Sequence, residues 1–174
     1  IQVAVEHMAD SEAFRQLAER LFRTPTVLLD NFYEASLTNS NPILHTGRLY
    51  TLWHDYRGEA LQRPILFYRE WTDEASDLLI RMDAEFMELL DRLPRGSHPI
   101  PPLLTYYESH DAASLTAKIR SITAFQSIVA PMKQSPAGWV PDFGSRYFTE
   151  DFPFGLRFIR DLAHTHRVST PTID

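Results

Sequence analysis

Residues Thr72 to Leu93 read T-D-E-A-S-D-L-L-I-R-M-D-A-E-F-M-E-L-L-D-R-L, and this stretch decides the fold class. Its apolar residues are Ala75, Leu78, Leu79, Met82, Phe86, Leu89, Leu90 and Leu93. They recur at the three- and four-residue spacing of a single helix face. Thr72 stands where an N-cap belongs, and Asp73 and Glu74 fall in the first turn, where the helix dipole favours anions. The spacing predicts a packing helix with Asp83 and Glu85 turned to water.

Toward the N-terminus the grammar changes. Ile1 to Val5 is short, apolar and partly β-branched, which reads as a strand. Asp10 and Ser11 offer caps for a helix with Phe14, Leu17, Ala18 and Leu21 at helical spacing. Thr24 to Leu29 then reads as extended. Strand, helix, strand is α/β grammar, whereas long helices dominate after Asp30. The boundary falls near residues 30–35, so residues 1–30 close one domain and residues 31–174 form a mainly α domain.

Toward the C-terminus, Pro64 to Trp71 reads as an extended aromatic segment and Pro94 to Pro102 as a proline-rich loop. Tyr106 to Ala130 reads as a helix after Asp111, with Leu115, Ile119, Ile122, Phe125 and Val129 inside. Met132 to Arg146 is rich in Pro and Gly and reads as irregular. Asp151 is a candidate cap for a last helix carrying Phe154, Phe158, Ile159 and Leu162. The chain begins at Ile1 and stops after S-T-P-T-I-D, which reads as part of a longer protein.

With 174 residues, 44% hydrophobic and 23% charged, the chain is long enough for one domain with a real core. A net charge of -6 with no basic stripe argues against a nucleic-acid partner. There is no cysteine, which excludes disulfides, thiolate catalysis and cysteine-held metals and fits a reducing cytoplasm. No apolar run approaches the ~20 residues of a membrane span. No G-x-G-x-x-G occurs, so this stretch holds no dinucleotide fingerprint of its own.

The chemistry gathers around two runs. The first is Ser36 to His45, S-L-T-N-S-N-P-I-L-H. Its helix starts at Asn41, with Pro42 in the first turn, or earlier with a kink at Pro42. Either way Asn41, His45, Arg48 and Leu52 share one stripe, and a stripe of Asn, His and Arg is not a plain core face. The second is Tyr147 to Leu156, Y-F-T-E-D-F-P-F-G-L. A histidine held by a carboxylate is a common general acid/base, and Asp151 is equally well suited to helix capping. Arg48, Lys118, Arg120, Lys133 and Arg146 are candidate carboxylate clamps. Arg48 leads because it lies one turn from His45, and Arg146 follows because it is near the second run. Tyr106 and Tyr107 are candidates for a pocket wall. His164 and His166 lie two apart and do not share a helix face, so cations at a helix C-terminus explain them better than a metal site. No metal is expected.

Together the two runs, with Tyr68-Arg69-Glu70 and Val168 to Pro171 (V-S-T-P), resemble the octopine/nopaline dehydrogenase family. Order and spacing agree over most of residues 25–174. The run Ser36 to Pro42 is most similar to the opine metallophore dehydrogenases, which make staphylopine, pseudopaline and yersinopine. The resemblance implies an N-terminal Rossmann domain followed by a helical catalytic domain, and a homodimer. It implies NADPH or NADH, bound mainly by the other domain. It implies His45 as catalytic histidine and Asp151 as its partner; it does not extend to the substrate clamps, so Asn41, Arg48 and Arg146 stand as substrate-binding candidates on their positions alone. The reaction implied is reductive condensation of an amine with a 2-oxo acid. Two other classes compete: a helical interaction domain without chemistry, and the substrate domain of a 2-hydroxy-acid-type dehydrogenase.

Overall fold

A computed structural model describes residues 1–7 and 9–174. The chain opens with β1 (Gln2–Ala4), α1 (Ser11–Phe22) and β2 (Val27–Leu29). The two strands pair in parallel, Val3 opposite Leu28, so α1 is the crossover between them. Asp10 caps α1 by accepting from the Ala13 amide at 2.8 Å. Only Ala18 of α1 is buried, and Leu17 and Leu21 of its apolar stripe are exposed.

The helical body follows: α2 (Phe32–Leu37), α3 (Asn41–Trp53), α4 (Asp73–Leu90), α5 (Leu103–Tyr106) and α6 (Ala112–Ser121). After these come a 3₁₀ turn (Thr123–Phe125), a hairpin of β3 (Met132–Ser135) and β4 (Gly138–Pro141), then α7 (Arg146–Thr149), a π-helical turn (Asp151–Leu156) and α8 (Arg157–Thr165). The fold is mainly α with few strands. α3 and α4 form its centre, and Phe67, Trp71, Leu79, Leu89, Leu115 and Ile119 are among the deepest apolar side chains.

α4 forms where its apolar spacing predicts, with Thr72 accepting from the Ala75 amide. Its buried polar groups are paired. Trp71 Nε1 donates to Ser76 Oγ at 3.1 Å, and Ser76 Oγ meets Thr116 Oγ1 of α6 at 2.8 Å. Asp83 and Glu85 do not simply face water. Asp83 is buried and accepts from the Leu103 amide at 2.9 Å, and Glu85 accepts from the amides of Thr172 and Ile173. Carboxylates at those positions serve chain segments that no helical wheel reveals.

Three other segments depart from the sequence reading. The stretch 106–130 is not one helix: it holds the ten-residue α6 and the 3₁₀ turn, because Ile122 takes an extended conformation (φ -69, ψ 105) and ends α6. Met132 to Arg146 is not irregular throughout: Gly138, at φ +130, closes the β3–β4 hairpin. Pro64 to Trp71 is largely a turn. It is pinned by Phe67 N to Ile128 O and Ala130 N to Ile65 O, each 2.8 Å.

Two glycines let the central helices touch. A Cβ at Gly47 of α3 would meet Leu79 Cδ1 of α4 at 2.7 Å. A Cβ at Gly155 of the π turn would meet Pro42 Cγ at 2.8 Å. Gly155→Ala should therefore push the π turn off α3 and cost about 1–3 kcal/mol by overpacking. Urea denaturation of the protein reads this directly, and unchanged stability would mean that the contact yields.

Candidate active site

Ser40 holds the N-cap position of α3 but supplies no side-chain cap; the Asn39 side chain instead accepts from the Asn41 amide at 3.1 Å. Asn41 and Pro42 occupy the first turn, where proline's missing N–H costs nothing. All residues from Ile43 to Leu49 are buried, because α4 packs on one side of α3 and the π turn on the other. His45 is 8% exposed and Arg48 is 2% exposed.

The π turn brings Asp151 to His45. Pro153 has no N–H to give to the Thr149 carbonyl, so the ordinary ladder is interrupted. Phe154 N still reaches Glu150 O at 2.9 Å, while Arg157 N reaches back five residues to Phe152 O. The widened turn aims Asp151 inward. Asp151 is not a helix cap: its Oδ2 meets His45 Nδ1 at 2.8 Å. The carboxylate accepts, so Nδ1 carries the hydrogen and Nε2 presents its lone pair. Tyr68 hydroxyl lies 2.9 Å from Nε2 and donates to it.

Aromatic rings crowd the imidazole. Tyr147 of α7 is tilted over the imidazole at 4.5 Å between centroids, and Phe67 meets it edge-on at 5.8 Å. Burial lowers the His45 pKa below its ordinary value, and the Asp151 carboxylate offsets part of that shift. The imidazole is thus held neutral and able to accept a proton. Burial pushes the Tyr68 and Tyr147 phenols up.

The remaining candidates lie elsewhere. Arg48 shares the stripe with His45 but not its surroundings. Its guanidinium donates to Phe67 O at 3.3 Å, Glu70 O at 2.6 Å and Thr72 Oγ1 at 3.4 Å, over the Trp71 ring. These bonds commit it to the turn 66–72. Asn41 is exposed at the helix start, one turn before His45. Arg146 is exposed and pairs with Glu150 at 2.9 Å. Arg120 donates to Trp71 O, while Lys118 pairs with Glu108 and Lys133 with Asp142 on the surface. Tyr107 is buried in the core cluster and Tyr106 is exposed. His164 meets Asp174 at 3.2 Å near the end of α8.

A hollow of about 220 Å³ opens beside Asp151, lined by Ser36, Asn39, Pro42 and Phe154. A larger cleft of about 960 Å³ is lined by Gly47, Tyr50, Met82, Arg81 and Arg160, and by neither His45 nor Asp151. Size does not choose the site here; the paired titratable groups do.

The chain matches the model of the NAD/NADP octopine/nopaline dehydrogenase α-helical domain over residues 28–174. The chain belongs to this family. It is similar to tauropine dehydrogenase of Arabella iricolor, 31% identical over 80% of this chain and 38% of the relative. It is also similar to octopine dehydrogenase of Pecten maximus, 27% identical over 90% of this chain and 41% of the relative. Among solved structures, octopine dehydrogenase with NADH and L-arginine superposes with a TM-score of 0.81 at 21% identity, over 99% of this chain and 47% of that one. The complex with NADH and pyruvate gives a TM-score of 0.78 at 22% identity, over 92% and 41%. The chain thus spans about two-fifths of the length of these relatives. No helix is long and apolar enough to cross a membrane among the described residues.

Sequence reasoning assigned no role to Tyr68 or Tyr147, although both stand in the runs that carry the family resemblance. The signal was present as two tyrosines in specific runs, but only the fold brings them to one imidazole.

The His45 shift makes a testable statement about stability. Its folded pKa lies below the ordinary 6.5, so the fold prefers the neutral ring. The stabilisation is full above the unfolded value and is lost as pH falls through the folded one. The stability gap between wild type and His45→Gln should hold steady above about pH 7 and shrink below it, by at most about 1.4 kcal/mol per pH unit. Denaturation between about pH 5 and 8 tests this; a constant gap would mean an unshifted histidine.

Proposed function

We propose that this chain is the helical catalytic domain of an opine dehydrogenase, with residues 1–30 closing its nucleotide-binding domain. The reaction is reductive condensation of an amino acid with a 2-oxo acid. The observation that carries the reading is the 2.8 Å contact between His45 and Asp151, made by residues from two distant runs of a family domain.

The chemistry needs a proton carrier twice. The amine attacks the ketone only when neutral, so a base must take its proton. The resulting carbinolamine loses its hydroxyl as water, so an acid must return one. A histidine that takes a proton and returns it serves both steps. Asp151 fixes the tautomer and stabilises the imidazolium formed in between.

The family implies a nicotinamide cofactor, which when bound supplies the hydride that reduces the imine. The residues present do not form its seat. The connection from β1 to α1 spans Val5 to Asp10 and has no glycine. The α1 N-terminus is capped by the Asp10 carboxylate, which would repel a pyrophosphate there. We therefore assign NADPH or NADH to residues outside this chain and route no step through it.

For the oxo acid, pyruvate is favoured over 2-oxoglutarate by the neighbour solved with NADH and pyruvate. For the amine, the run Ser36 to Pro42 favours an aminobutyrate-extended amino acid such as a histidine derivative, and thus a metallophore product; it is the sole support for that branch. On the resemblance alone we assign a homodimer, and the cysteine-free sequence fits a reducing cytoplasm.

The intact enzyme should oxidise the nicotinamide only when amine and oxo acid are both present. Oxidation with the oxo acid alone would mean a 2-oxo-acid reductase, and none with any pair would favour an interaction domain. Comparing L-arginine with a histidine-derived aminobutyrate amine separates the branches. His45→Ala should lower kcat by about 10²–10⁴-fold with cofactor binding intact. Asp151→Asn should lower kcat strongly with little loss of stability. Wild-type turnover in His45→Ala would remove the acid/base assignment.

A further inference from the structure

Both ring nitrogens of His45 are occupied by the protein. Nδ1 gives its hydrogen to Asp151, and the Nε2 lone pair receives the Tyr68 hydroxyl hydrogen at 2.9 Å. A base whose lone pair is already taken reaches its substrate in one of two ways. The blocking hydroxyl swings aside, or it passes the proton on.

The surroundings of Tyr68 decide between them. Its ring stacks on Trp71 at 6.1 Å and 6°, and on Phe125 at 4.4 Å and 27°. Phe67 meets it edge-on at 4.9 Å. The residue is 5% exposed. Arg48 holds the backbone on both sides of it, through Phe67 O and Glu70 O. Swinging the phenol out would break two stacks and open a void in the core beside Trp71, which is fully buried.

We propose that Tyr68 stays in place and relays protons between the substrate and His45. The inference rests on the opine dehydrogenase reading and adds the atom through which His45 acts. When the amine is deprotonated, its N–H bond breaks and an O–H bond forms on Tyr68. The former Tyr68 O–H breaks and a bond from that hydrogen to His45 Nε2 forms. The phenol is neutral before and after, and the positive charge moves from the ammonium to the imidazolium facing Asp151. The reverse transfer protonates the carbinolamine hydroxyl, which departs as water. Burial and the nearby Tyr147 and Tyr107 phenols raise Tyr68, which disfavours a free phenolate and favours both transfers occurring together.

Tyr68→Phe in the intact enzyme keeps the ring stacks and removes the hydroxyl. The relay predicts a kcat about 100-fold below wild type, the KM of both substrates within about threefold, and an unchanged Tm. A kcat within about threefold of wild type overturns the relay. If His45→Ala still abolishes turnover, the wider reading then survives without it; wild-type turnover in His45→Ala sinks both. Should Tyr68→Phe fail to fold, 3-fluorotyrosine at position 68 keeps ring and hydroxyl while making the phenol more acidic. The relay predicts a shifted pH profile of kcat in that protein, and an unshifted profile overturns it.

Discussion

The 2.8 Å contact between His45 and Asp151 joins the middle of the most buried helix to the first residue of the π turn. It forms only if the π turn lies hard against α3. Gly155 permits that approach because a side chain there would strike Pro42. Pro153 contributes differently, by denying the Thr149 carbonyl its usual donor and widening the helix so that Asp151 points inward. A π insertion costs regular hydrogen bonding and is often found where a side chain must be aimed.

Arg48 explains why a buried helix carries a polar stripe. Burial lowers its guanidinium to about 10, so it remains a cation at neutral pH. Removing a cation from water is costly unless hydrogen bonds replace the lost hydration. Here carbonyls of Phe67 and Glu70 and the face of Trp71 do so. Those carbonyls belong to the turn that presents Tyr68. One turn of α3 therefore bears the titrating imidazole and the next builds the support for its second hydrogen-bond partner.

This division also sets what the sequence made legible. The face of α4 could be read because periodicity reports burial wherever a whole helix side is covered. The pairing of His45 with Asp151 was available through the family resemblance, while spacing alone left Asp151 open between cap and partner. Arg48 looked like a clamp because a stripe gives direction around a helix axis but not the identity of the neighbour. The turn at Tyr68 was read as extended because aromatic residues favour strands, whereas here carbonyl contacts to Arg48 and the 128–130 segment fix it. Asp83 and Glu85 looked solvated because their partners, the amides of Leu103, Thr172 and Ile173, are distant in sequence.

Burying the imidazole and pairing it with a carboxylate have opposite effects on its proton affinity. Burial penalises the cation, and Asp151 rewards it. Burial wins in the resting protein, which leaves a neutral base with a defined tautomer. Once a proton arrives, the same carboxylate is in place to hold the cation without reorganisation, which is how preorganised sites lower barriers. The rings of Phe67, Tyr68 and Tyr147 crowd the remaining faces of the imidazole and limit the access of bulk water. In the proposed reaction that exclusion has a chemical use, because an imine awaiting hydride is destroyed by hydrolysis. A solvent-exposed histidine would exchange protons with water as readily as with substrate. In the proposed reaction an enclosed base needs a dedicated path for the proton, and the Tyr68 hydroxyl is the group that stands on Nε2.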